Sequence, residues 1–165
     1  MRSGPAGLHR TQKGYALLGR LTKTLCIMES DLKITGECFC GEVTYQVNGL
    51  LRDARSCHCS RCRKAFGSQA SAYALVEPQE FSWLSGDHLL TTYVGNHGFG
   101  FQFCSKCGST LCGVYDGTIH GVTLGCINGD PKLVLARHIY VGSKATWEII
   151  PDGVLQYQED VPGHA

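Results

Sequence analysis

From Ile34 onward, apolar and polar residues alternate over short runs, the pattern of strands with one buried face. Val43, Tyr45 and Val47 alternate with Thr44 and Gln46. Phe99, Phe101 and Phe103 alternate with Gly100 and Gln102, which sets three rings on one side directly before Cys104. Further strands are expected over Ala70–Val76, Leu89–Val94, Thr110–Tyr115, Ile119–Ile127 and His138–Val141. Breaks such as Ser85-Gly86-Asp87, Gly95-Asn96 and Asn128-Gly129-Asp130 separate them. Ser60–Phe66 alone reads as a short helical turn, so the chain is expected to be all-β with one such turn.

The first 33 residues follow a different pattern. Leu17, Leu21, Leu25 and Met28 keep helical spacing with Arg20 and Lys23 off the stripe, and no acid precedes Glu29. Residues 1–33 are therefore read as a basic extension, either an organelle-targeting peptide or a segment without a role. A domain is expected over residues 34–158, with a tail over 159–165. At 165 residues the chain can bury a core without cross-links.

Net charge is +1 overall, but the extension holds six Lys/Arg against two acids, which leaves the remainder near −3. An acidic body without interleaved aromatic and basic stretches disfavours nucleic acid as a partner. No apolar run approaches the roughly 20 residues that span a bilayer, so no membrane partner is expected. Oligomeric state has no signature in the sequence.

Ten cysteines could signal a secreted disulfide scaffold. Arg20 and Lys23 interrupt any signal-peptide core, however, and the close Cys spacings suit chelation better than bridges between distant strands. The expected location is the cytoplasm, with organelle targeting by residues 1–33 as the alternative.

Seven of the ten cysteines fall in three clusters. Cys38-Phe-Cys40-Gly41 and Cys104-Ser-Lys-Cys107-Gly108 are Cys-x-Cys-Gly and Cys-x-x-Cys-Gly turns, in which glycine permits the positive φ the turn needs. Together they offer the four thiolates of a closed structural zinc site, a staple between distant strands. Cys57, Cys59 and Cys62 form a trio, which leaves one coordination position for water, substrate or a thiol. Arg61, Arg63 and Lys64 set positive charge beside it, suited to thiolates or an anionic substrate. His58 is placed off the metal, because its neighbours both aim sulfur there. The rival reading completes the trio with Cys112, Cys126, His120 or His138 as a second structural site; an iron–sulfur cluster is the weaker alternative.

Thr35-Gly-Glu-Cys-Phe-Cys-Gly-Glu-Val-Thr-Tyr45, Cys57-His-Cys-Ser-Arg-Cys62 and Phe103-Cys-Ser-Lys-Cys-Gly108 together resemble the glutathione-dependent formaldehyde-activating family, whose domain is shared with centromere protein V. Arg137-His-Ile-Tyr-Val141, Trp147 and Asp152-Gly-Val-Leu-Gln-Tyr157 resemble its closing pattern, so the likeness spans roughly Ile34–Tyr157. The chain departs from that pattern at Gly98-Phe-Gly-Phe-Gln102 and at Leu135-Ala-Arg137.

The resemblance implies a zinc-stabilised fold of small sheets, tent-like in form, with two Zn²⁺ per chain. Cys38, Cys40, Cys104 and Cys107 would hold one, and Cys57, Cys59 and Cys62 the other, the open and catalytic one. It implies a carbon–sulfur lyase that joins formaldehyde and glutathione as S-(hydroxymethyl)glutathione, with Arg61, Arg63 and Lys64 as candidate glutathione contacts. The rivals are a non-catalytic carrier of a thiol or its adduct and a zinc-ribbon interaction protein. Tyr73, Tyr93 and Trp147 are expected to pack in the core or line a cleft, and Cys112 and Cys126 to pack as small hydrophobes.

Overall fold

The computed structural model describes residues 32–162. The helical stripe expected between Tyr15 and Met28, with any targeting role, and the last three residues lie outside the described residues.

Among the described residues, eleven strands and one α-helix follow in order: β1 (Lys33–Glu37), β2 (Thr44–Asn48), β3 (Arg52–Cys57), α1 (Ser60–Phe66), β4 (Ser71–Leu75), β5 (Phe81–Ser85), β6 (Leu90–Val94), β7 (Phe99–Cys104), β8 (Thr110–Tyr115), β9 (Thr118–Thr123), β10 (Arg137–Ile139) and β11 (Leu155–Gln156). They form a three-stranded sheet, β1-β2-β5, and an eight-stranded sheet, β11-β10-β3-β4-β9-β8-β7-β6. The all-β class expected from alternation holds, and neither sheet closes on itself.

The alternation sets the core. Val43, Tyr45 and Val47 are fully buried and pack with Ile34 of β1, Val76 just after β4, Leu111 of β8 and Val122 of β9. Tyr45 stacks on Phe81 at 5.3 Å and meets Trp83 edge-on at 6.0 Å, a geometry that aromatic quadrupoles favour. Trp83 thus lies within β5, packed in this cluster. Trp147, by contrast, is 69% exposed rather than packed, which corrects the expectation of a core or cleft residue.

One pairing matters most for the site. β3 runs parallel to β10, with Ser56 opposite His138 and Cys57 opposite Ile139. The polar sequence Arg52-Asp-Ala-Arg-Ser-Cys57 carries no strand signal, yet Arg55 is buried there. Its charge is answered by Asp53 and, at 3.6 Å, by Asp160, while Arg137 of β10 also pairs with Asp53 at 2.9 Å. A buried guanidinium is tolerated only when paired in this way. Residues 159–160 are tied into the fold by the same cluster and by Tyr140 N–H donating to the Glu159 carbonyl at 2.9 Å.

Candidate metal centres and the adjoining cleft

The four paired cysteines meet where the two sheets adjoin. Cys38 and Cys40 lie in the β1–β2 loop, and Cys104 and Cys107 at the β7–β8 turn. Each turn closes on itself, with Gly41 N–H donating to the Cys38 carbonyl at 2.9 Å and Gly108 N–H to the Cys104 carbonyl at 2.8 Å. Gly41 and Gly108 have φ of 75° and 77°, left-handed values that explain why glycine ends both motifs.

All four sulfurs lie within 4.8 Å of one another, with Cys38 to Cys40 at 3.4 Å and Cys40 to Cys104 at 3.9 Å. A tetrahedral zinc with Zn–S near 2.3 Å requires sulfur edges of about 3.8 Å. The donor set and its spacing therefore fit a closed zinc site. Val43 N–H points at the Cys38 sulfur at 3.4 Å. The Ser109 hydroxyl beside Cys107 helps bring that thiol down to about 6. Both contacts favour thiolates.

The trio forms at the junction of β3 and α1. Cys57 ends the strand and is buried. Cys59 caps the helix, its sulfur accepting from Cys62 N–H at 3.3 Å, and Gly67 closes the helix with a left-handed φ of 56°. The three sulfurs lie within 4.8 Å of one another. Hydrogen bonds from the Cys57 and Cys62 thiols, with help from the Cys62 and Arg61 N–H groups, pull Cys59 down to about 2 despite its burial. Cys57 is pushed upward by the same sharing with Cys59 and Cys62 and by burial. At Cys62 the Cys57 thiol lowers the value, but Cys59 and burial override it and leave the group at about 11.

Ser71 gives a second test of whether a metal fits. It lies opposite Cys57 in the β3–β4 register and is buried, and its Oγ has no well-placed hydrogen-bond partner. The group it faces is the Cys62 sulfur, whose pKa it draws down. A buried hydroxyl without a partner is costly, and a metal-bound thiolate would supply the acceptor.

None of the alternative fourth ligands joins the trio among the described residues. Cys112 is buried and donates to Gln102 Oε1, and Cys126 donates to the Thr110 carbonyl, both at 3.5 Å. Burial pushes these two thiols up to about 12 and about 11, as expected of inert packing residues. His120 packs edge-on against Phe99. His138 instead meets His58, which is fully buried and off the metal.

An open cleft of about 500 Å³ is lined by Arg61, Lys64 and Ala65 of α1 together with Tyr93, Phe101, Phe103, Gly108 and Thr110. One wall is the face of α1 that carries Ala65, one turn on from Cys62. The helix is held there by Phe66, edge-on to Phe101 at 5.9 Å, and by Thr110 Oγ1 donating to the Ala65 carbonyl at 3.3 Å. Of the three expected cationic contacts, Arg61 and Lys64 face the cleft, whereas Arg63 turns away and donates to the Ser143 carbonyl at 3.3 Å. Tyr93 lines the cleft, as one of its two expected placements required.

Fold and site define a thiol-rich β-protein with two cysteine groups able to hold metal ions, one of four sulfurs and one of three. Residues 33–143 match the family described as glutathione-dependent formaldehyde-activating enzyme, and the chain belongs to that family. Among solved structures it is similar to a Rhodobacter sphaeroides protein at 24% identity and a TM-score of 0.51, over 74% of this chain and 98% of that one. That likeness concerns the fold alone. No curated protein matches the chain. Among the described residues, no helix is long and apolar enough to cross a membrane.

Proposed function

We propose that this chain adds a small thiol, glutathione or a close relative, to formaldehyde or a related aldehyde, a zinc-dependent activity of the carbon–sulfur lyase type. The observation that carries the reading is the convergence of Cys57, Cys59 and Cys62 with no fourth protein donor among the described residues, on the helix whose Arg61 and Lys64 give a cleft its cationic edge. Family membership supports the same chemistry. The paired cysteines are assigned the structural zinc and the trio the second.

Zinc held by the trio would lower the pKa of an incoming thiol and keep its sulfur ionised. Arg61 and Lys64 would pair with the carboxylates of a tripeptide thiol, while Tyr93, Phe101 and Phe103 cover its apolar parts. The thiolate sulfur attacks the aldehyde carbon, and an S–C bond forms as the C=O π pair moves to oxygen. That oxygen takes the proton the thiol gave up, so the product is a hemithioacetal. Thiols remain reduced in the cytoplasm, the compartment assigned to the reaction.

Exchange spectroscopy of glutathione with formaldehyde tests the reading, without protein, with wild type and with Cys59→Ser. Faster exchange with wild type alone is expected. Equal rates in all three samples would remove the enzymatic claim, and saturable adduct binding at an unchanged rate would make the protein a carrier.

A further inference from the structure

The segment after Ser143 has inverted polarity. Trp147 and Ile149 are 69% and 91% exposed, while the carboxylate between them, Glu148, is turned inward and only 11% exposed. Burial of apolar area would favour the opposite arrangement. Glu148 reaches inward to one group, the His58 ring: its Oε2 accepts from Nδ1 at 2.9 Å. A carboxylate only accepts, so this nitrogen carries the proton. On the other side of the ring, Nε2 shares a hydrogen bond with His138 Nδ1 at 2.8 Å. The backbone N–H of His58 is held as well, donating to the Ile139 carbonyl at 3.0 Å.

His58 stands between Cys57 and Cys59. Successive side chains of an extended backbone point to opposite sides, so two sulfurs at i and i+2 can share a face when the residue between them points away. His58 does so, and its three hydrogen bonds fix the turn in that form. We propose that Glu148 is a positioning residue for the cysteine trio, acting through His58 to keep the Cys57 and Cys59 sulfurs convergent. The inference rests on the trio being a metal site, as in the reading above, but not on its turning over any substrate.

The test measures zinc release to an excess of a chromophoric chelator from the full chain loaded with two zinc ions. Cys59→Ser, which retains the four-thiolate site, identifies the phase belonging to that site. Removing an outer hydrogen-bond partner typically weakens a metal site about 10- to 100-fold. Glu148→Ala is expected to speed the trio's phase by that factor and leave the other phase unchanged. Glu148→Gln, whose amide oxygen can still accept from Nδ1–H, should restore release to near the wild-type rate. Glu148→Asp is the milder variant should the alanine protein not fold, and withdrawing the carboxylate by one methylene should speed the same phase.

Val122→Ala, a core truncation away from this chain of contacts, controls for general destabilisation and should leave the trio's phase unchanged. Wild-type release rates in Glu148→Ala and Glu148→Asp would overturn the positioning role while leaving the proposed function intact. So would equal acceleration by Val122→Ala at a matched melting temperature. A single zinc in the wild-type protein would overturn both.

Discussion

Ser71→Ala separates a metal-bearing trio from three thiols that merely share a pocket, because the two cases differ in sign. The Ser71 hydroxyl is buried without a well-placed hydrogen-bond partner, and the group it acts on is the Cys62 sulfur. If that sulfur is a metal-bound thiolate, the hydroxyl donates to a charged acceptor, a contact worth about 1.5–3 kcal/mol. Its loss should then weaken metal binding at the trio about 10- to 150-fold. In protein that holds only the four-thiolate metal, the substitution removes a buried hydroxyl with a poor acceptor and leaves little cavity. Stability of that form should be unchanged or rise by about 1 kcal/mol. Zinc competition against a chelator of known affinity gives the first number, and thermal melts of the one-metal form give the second. Unchanged zinc affinity together with a lowered melting temperature would refute the reasoning and make Ser71 an ordinary packing residue.

Other consequences follow from the same geometry. Cys38→Ser should release the staple between the sheets: a cross-link spanning 64 residues, the separation of Cys40 and Cys104, removes about 4 kcal/mol of unfolded-chain entropy. Retained zinc and an unchanged melting temperature would contradict that role. Arg61→Ala or Lys64→Ala should raise KM for a carboxylate-bearing thiol several-fold with kcat little changed, whereas Arg63→Ala, aimed away from the cleft, should not. The His120 value is lowered by burial and then by Arg55. The folded state therefore resists protonation, and this contribution to stability, complete above the ordinary value near 6.5, is lost as pH falls through the folded one. His120→Gln should flatten that part of the decline in melting temperature between pH 7 and pH 5, and an unchanged slope would refute the assignment.

Much of the framework was legible because local rules and tertiary demands agree. The alternation at Val43–Val47 marks β2, and Ser60–Phe66 is α1 to the residue. Cys-Gly pairs announce the left-handed turns later seen at Gly41 and Gly108. The same spacing rules group the seven cysteines that converge. β3 was not legible, since its Arg and Asp residues read as surface, and the buried Arg55 is neutralised by Asp53 of its own strand and by the distant Asp160, with Arg137 of β10 also on Asp53.

The Glu148–His58–His138 chain was hidden for a related reason. Parallel β3–β10 pairing joins residues 82 positions apart, and such register leaves no local trace. Trp147 misled in the opposite direction, because its size suggests burial while its neighbour Glu148 takes the inward place. The division between Arg61, Lys64 and Arg63 could have been read from helical spacing, which sets residues 61 and 64 on one face and 63 on another.

The central claim is that the trio holds a metal whose remaining position accepts an external thiol. It is tested most directly by placing cobalt(II) at the trio, with zinc kept at the four-thiolate site, and titrating glutathione. A saturable rise in the sulfur-to-cobalt charge-transfer band is expected, present with glutathione and absent with its S-methyl derivative. An unchanged spectrum at saturating glutathione, or no cobalt retained at Cys57, Cys59 and Cys62, would contradict it.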